Sequence, residues 1–167
     1  MTEQTLHAPL QCCTQLAALL LQNKYQLATA ESCTGGLIAA ACTDLAGSSN
    51  WFERGFVTYS NAAKTSMLGV DAALIETHGA VSEAVARAMA QGALQHSLAQ
   101  VSVAVTGVAG PGGGSADKPV GTVWLAWALP SGLHAQVQHF DGDRAAVRAA
   151  SVQHALTHLL TLLKAHP

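Results

Sequence analysis

Leu27-Ala28-Thr29-Ala30-Glu31-Ser32-Cys33-Thr34-Gly35-Gly36 carries a short buried strand, Leu27 to Ala30, straight into a tight turn. Leu37 to Thr43 then reads as the body of a helix, and Ala46-Gly47-Ser48-Ser49-Asn50 breaks the chain again. A strand that feeds a turn and then a helix is the building unit of α/β folds. Upstream, about Pro9 to Asn23 reads as a helix with Cys13, Leu16, Ala17 and Leu20 on one face. Downstream, Phe56-Val57-Thr58-Tyr59 reads as a strand ending at Ser60-Asn61, a good helix cap. Ala62 to Leu68 is a short helix closed by Gly69. Asp71 caps another, ending near Gly79, and Ser82 caps a third in which Val85, Met89 and Ala93 recur every fourth residue.

Val101 to Thr106 is a β-branched run and reads as a strand, followed by a glycine-rich loop from Gly107 to Pro119. Thr122 to Ala128 and His134 to Phe140 form a hairpin pattern around Pro130-Ser131-Gly132. Gly142-Asp143 opens a last helix to about Lys164, with the stripe Val152, Leu156, Leu159 and Leu163. Strands alternate with helices early and a hairpin comes late. The expected fold is therefore an α/β layered domain with a mixed sheet.

The chain of 167 residues fits one domain, 1–167, large enough to bury its own core. Half of it is hydrophobic and 11% is charged, which excludes a disordered chain. A formal net charge of −2 with scattered lysines and arginines lacks the basic field of a nucleic-acid binder. There is no signal-peptide pattern, and no apolar run reaches the ~18 residues of a membrane span. Cys12, Cys13, Cys33 and Cys42 form no CxxC. The expectation is a reduced, cytoplasmic protein with free thiols and no membrane partner.

Three segments carry candidate chemistry. In the first, Ser32 stands at or just before a helix N-terminus, where free N–H groups can stabilise an oxyanion. Gly35 and Gly36 permit close approach to the backbone. Capping by Ser32 or Thr34 explains the same residues without chemistry. Cys33 is a rival nucleophile, since a helix N-terminus lowers a thiol pKa. No GxSxG, SxxK or P-loop pattern is present, because Ala30, Thr34 and Gly35 stand at the diagnostic positions.

In the second, Gly55 to Lys64, Tyr59 ends the strand and Lys64 lies in the first turn of the next helix. On one helix they would be about 140° apart, but the intervening turn lets both reach one cleft. Partial burial would lower the lysine pKa and suit it to general-base work. A solvated lysine and a core tyrosine are the bland alternative. The spacing is one residue longer than the YxxxK of short-chain dehydrogenases, and no GxGxxG follows the first strand.

The third segment, Thr106-Gly107-Val108-Ala109-Gly110-Pro111-Gly112-Gly113-Gly114-Ser115, follows a strand, where α/β proteins place ligand loops. Its N–H groups can cradle an anion, and Lys118 and Arg144 are the nearby cations for a phosphate. His154 and His158 have the i, i+4 spacing of a metal pair. They lie largely opposite the apolar stripe, so a solvent face is expected, with no metal site.

Together these segments resemble the CinA C-terminal domain family. The resemblance rests on Ala30 to Gly36, Gly47-Ser48-Ser49 with Trp51-Phe52, Gly55 to Lys64, and His78-Gly79-Ala80-Val81-Ser82. It continues through Thr106 to Gly114, Lys118 to Val123, and Gly142-Asp143-Arg144. It implies a three-layer α/β/α sandwich with a mixed sheet, assembled as a homodimer. It also implies a metal-independent and cofactor-independent amidase of pyridine nucleotide salvage, converting nicotinamide mononucleotide to nicotinate mononucleotide and ammonia. The family's Ser-Tyr-Lys set falls on Ser32 as nucleophile, Tyr59 and Lys64. Cys33, Thr34, Gly35, Gly36, Thr106, Gly107, Gly110, Gly112 and Arg144 are the expected substrate-binding residues. Two alternatives stand beside this expectation: a non-catalytic nucleotide-binding or regulatory module, and a serine amidase for another small amide.

Overall fold

Alternation along the central strands decides the layering. In β3 (Val101–Gly107), Val101, Val103 and Val105 face one side, while Ser102, Ala104 and Thr106 face the other. In β1 (Leu27–Glu31), Leu27 joins the first side and Ala28 and Ala30 the second. Both faces are covered, so both strands are buried throughout. The computed structural model describes the backbone of residues 3–166 and the side chains of residues 9–166.

The other strands are β2 (Phe52–Val57), β4 (Thr122–Leu129) and β5 (Gly132–His139), and the sheet order is β2-β1-β3-β4-β5. β1 runs parallel to β2 and to β3, whereas β4 and β5 return antiparallel. The expected mixed α/β sheet is therefore found. The first layer holds α1 (Glu3–Asn23), α2 (Leu37–Thr43) and α6 (Arg144–Ala165) over the large residues Leu27, Val103, Leu125 and Trp127. The second holds α3 (Asn61–Leu68), α4 (Ala72–His78) and α5 (Glu83–Gln95) over Ala28, Ala30, Ala104, Ala126 and Ala128. Small residues on this second face let α5 approach closely, and Ser102 Oγ donates to Ala90 O at 2.7 Å.

Three sequence expectations are corrected. The first helix begins at Glu3, with Pro9 inside it, rather than near Pro9. β2 is Phe52–Val57, so Tyr59 lies in the connection after the strand. The reason is register: Phe52 to Val57 pair with Leu27 to Glu31, and the partner strand ends there. Third, His154 and His158 do not lie on a solvent face. α6 lies over β4 and β5, so the strip beside its apolar stripe is covered as well. Both rings pack on Trp127, with centroids 6.0 and 4.5 Å away, and both bond Gln136 of β5.

The Gln136 amide donates to His158 Nε2 at 3.1 Å and its oxygen meets His154 Nε2 at 3.0 Å, an arrangement that requires His158 to be neutral. Burial pulls both histidine pKa values below 6.5, and the neighbouring His154 and then His134 push His158 the same way. The unfolded chain then binds protons that the folded one refuses. Stability should fall as pH drops from about 6.5. Urea midpoints measured against pH should show this slope, and His154→Gln with His158→Gln should flatten it.

Gly92 of α5 faces α3: a Cβ there would lie 2.1 Å from Leu68 O. Gly92→Ala should lower the unfolding free energy by about 1–3 kcal/mol, read from urea denaturation, because α3 must move away.

Candidate active site

β1 and β3 are neighbours, but the chain leaves β1 toward β2 and leaves β3 in the other direction, toward β4. β1 continues through α2 to β2 on one face, and β2 returns to β3 through α3, α4 and α5 on the other. The crevice outside the ends of β1 and β3 is thus a topological switch point, where open α/β sheets bind ligands. Ser32 stands there, one residue past β1, its N–H donating to Val105 O at 3.0 Å.

Glu31 organises the turn. Its carboxylate is 1% exposed and accepts from Thr34 Oγ1 at 2.7 Å, Ile38 N at 2.8 Å and Ala39 N at 3.1 Å. The first amides of α2 are therefore already satisfied by an internal anion. The expected oxyanion site at that helix end is correspondingly narrowed to the turn itself. There the N–H groups of Cys33 and Thr34 have no acceptor on another residue, while Gly35 N–H donates to Ser32 O at 3.0 Å. Gly35 and Gly36 hold φ of +58° and +103°, the left-handed backbone that the sharp turn into α2 needs.

Ser60 caps α3 by accepting from Ala63 N at 3.0 Å, which starts the helix early enough to aim Lys64 inward. Lys64 is 1% exposed, and its Nζ lies 3.0 Å from Ser32 Oγ and 2.9 Å from Thr58 O. Desolvation pulls its pKa below the usual 10.5. A neutral Lys64 can donate to Thr58 O and accept the Ser32 proton. Cys33 is buried, and burial pushes its thiol up to about 11, so it is held protonated.

Ser32, Cys33, Tyr59, Lys64, Thr106, Gly107 and Arg144 line one cavity of about 220 Å³. An adjoining cavity of about 670 Å³ shares Ala109 and Arg144 and adds Pro111, Val120, Gly142, Asp143 and Arg148. Tyr59 is 62% exposed, and its hydroxyl accepts from Arg144 Nη2 at 2.9 Å, so it stands at the rim and not in the core. Thr106 Oγ1 donates to Ala80 O at 2.9 Å. Thr34, Gly35, Gly36, Gly110 and Gly112 line neither cavity. Thr34 is committed to Glu31, and Gly110 O accepts from Arg144 Nη1 at 2.9 Å. Lys118 also points elsewhere, donating to His78 O at 2.9 Å. Among the described residues no three His, Cys, Asp or Glu side chains gather as a metal site.

A serine bonded to a buried lysine at this switch point accompanies a sequence match over nearly the whole chain. The model of the CinA C-terminal domain matches residues 10–163. The chain belongs to the CinA C-terminal domain family. It is 51% identical over 165 residues to the nicotinamide-nucleotide amidohydrolase PncC of Enterobacter agglomerans, covering 98% of this chain and 97% of that protein. It is 55% identical over 149 residues to the PncC of Pseudomonas putida, covering 89% and 93%. The crystal structure of the competence/damage inducible protein CihA from Agrobacterium tumefaciens superposes with a TM-score of 0.89 at 46% identity, covering 93% of this chain and 95% of that one.

Within this CinA-family site, sequence reasoning passed over Glu31 and Arg148. A carboxylate ending an apolar strand just before a helix was the available signal for Glu31. For Arg148 it was the four-residue spacing from Arg144 on one helix.

Glu31→Gln turns one acceptor oxygen into an amide that faces a donor. The expected cost is about 1–3 kcal/mol of stability, from buried groups left unpaired, measurable by urea denaturation.

Proposed function

We propose that the protein hydrolyses the carboxamide of nicotinamide mononucleotide to nicotinate mononucleotide and ammonia, with Ser32 as nucleophile. The observation that carries this is the 3.0 Å contact between Ser32 Oγ and the buried Lys64 Nζ. The PncC relatives supply the substrate.

Neutral Lys64 takes the Ser32 proton directly, since Tyr59 bonds Arg144 instead of the serine. Ser32 Oγ attacks the carboxamide carbon, and the N–H of Cys33, which lines the inner cavity, receives the oxyanion. Lys64 returns the proton to the departing nitrogen, which leaves as ammonia. Water, deprotonated by Lys64, then cleaves the acyl-serine ester, giving the carboxylate and free Ser32. Tyr59 and Arg144 bound the mouth through which the ring enters, and the outer cavity takes the ribose phosphate. The outer cavity, about 670 Å³, falls within the ~300–1,000 Å³ usual for small-molecule sites, and the inner one of about 220 Å³ adjoins it. By the same family resemblance the protein acts in the cytoplasm as a homodimer of one-domain chains. Among the described residues no helix is long and apolar enough to cross a membrane.

Purified protein should release ammonia and nicotinate mononucleotide from nicotinamide mononucleotide in the presence of a chelator. Ser32→Ala should lose roughly three or more decades of kcat, and Cys33→Ala little. The reverse ranking would move the chemistry to the thiol. Clean binding without turnover would favour a non-catalytic module, and turnover of other amides alone would make it an amidase of different specificity. The rate should also fall on the acid side as Lys64 becomes protonated, with the midpoint below 10.5. A flat profile there would remove Lys64 as the base.

A further inference from the structure

Arg148 joins the outer cavity to the serine turn. It lies one helical turn after Arg144 on the same face of α6. Its Nε donates to Cys33 O at 3.1 Å and its Nη2 to Thr34 O at 3.3 Å. Its remaining N–H groups have no acceptor among the described residues, and the same side chain lines the cavity of about 670 Å³. Among the described residues neither Arg144 nor Arg148 meets a carboxylate. The ion pairs among the described residues are Arg54–Glu53 and Arg87–Glu83. Asp143 also borders the cavity, but its carboxylate caps α6 by accepting from Ala146 N at 2.9 Å. The outer cavity therefore presents two guanidinium groups in no ion pair with a described residue, beside one carboxylate committed to a helix cap, and the pair suits a phosphate.

We propose that Arg148 is a positioning residue through which a phosphate in the outer cavity sets the geometry of the Ser32 turn, so that turnover, and not only binding, selects a nucleoside monophosphate. This rests on the reading above that Ser32 attacks the carboxamide of a nucleotide. The physical link is the peptide unit. Cys33 C=O and Thr34 N–H belong to one planar amide. A guanidinium fixed on the Cys33 and Thr34 carbonyls holds that plane, and with it the turn that presents Ser32 and Cys33 to the inner cavity. Without an anion, Arg148 is partly exposed and held only by two carbonyls, one of them at 3.3 Å. A phosphate bound by its free edge removes that rotamer freedom before the chemical step, so substrate binding supplies the ordering.

The test splits the substrate in two. Turnover of nicotinamide mononucleotide is compared with that of nicotinamide riboside, which lacks the phosphate, alone and with added inorganic phosphate. The native protein should handle the riboside roughly 10–100-fold less well, and inorganic phosphate should raise riboside kcat saturably. Arg148→Lys should lose that activation and lower kcat for the mononucleotide by about tenfold. An Arg148→Lys effect confined to KM, or equal slowing of both substrates, would overturn the proposal.

A second readout does not need activity. In ¹⁵N spectra of the native protein, inorganic phosphate should move the Arg148 Nε and Thr34 N–H signals together, and in Arg148→Lys the Thr34 signal should stay. A Thr34 signal indifferent to phosphate, or one that moves equally in the variant, counts against the coupling. If the native protein hydrolyses neither substrate, the amidase reading fails on its own, while the spectra still decide the role of Arg148.

Discussion

The buried carboxylate of Glu31 is the constraint around which the site is arranged. It ends β1, the strand between β2 and β3. With three donors fixed on it, the chain beyond must turn at once and enter α2. Ser32 is the residue at that bend, tied to β3 through Val105 O. An unpaired carboxylate in such a position would cost several kcal/mol, so the turn cannot relax without exposing the charge. Ser32 is thus held by the core.

The opposite face of the sheet delivers Lys64. The alanine-rich surface of β1, β3 and β4 brings α5 close, and Gly92 of α5 lets α3 rest against it. α3 carries Lys64 under Ser32, where burial disfavours an ammonium ion. Two layers of different packing meet at the switch point, one supplying a hydroxyl and the other a desolvated amine. Neither side chain has that chemistry alone: an isolated serine is a poor nucleophile, and a solvated lysine is protonated at neutral pH.

α6 closes the arrangement from the side. Its N-terminal turns present Arg144 to Tyr59 and the glycine-rich loop, and Arg148 to the serine turn. Further along, Trp127 donates to Ala155 O at 2.9 Å, and Gln136 bridges His154 and His158, so the helix is pinned to the sheet by polar bonds as well as by its apolar stripe. The helix that borders the outer cavity also carries the two histidines whose pKa values burial lowers.

Local patterns settled much of this protein. Period-two alternation, glycine turns and helix caps at Ser60, Asp71, Ser82 and Asp143 are properties of a few adjacent residues, and they marked the α/β class and the order of most elements. The strand-turn-helix around Ser32 and the cap ahead of Lys64 were legible for the same reason. What no local pattern contains is proximity between distant segments. That Lys64 reaches Ser32 while Tyr59 turns away to Arg144, that Glu31 fills the helix end expected to hold an oxyanion, and that His154 and His158 are covered by β4 and β5 all depend on strand register and on which face each crossover takes. Those are set by how the layers pack, and so only the tertiary structure decided them.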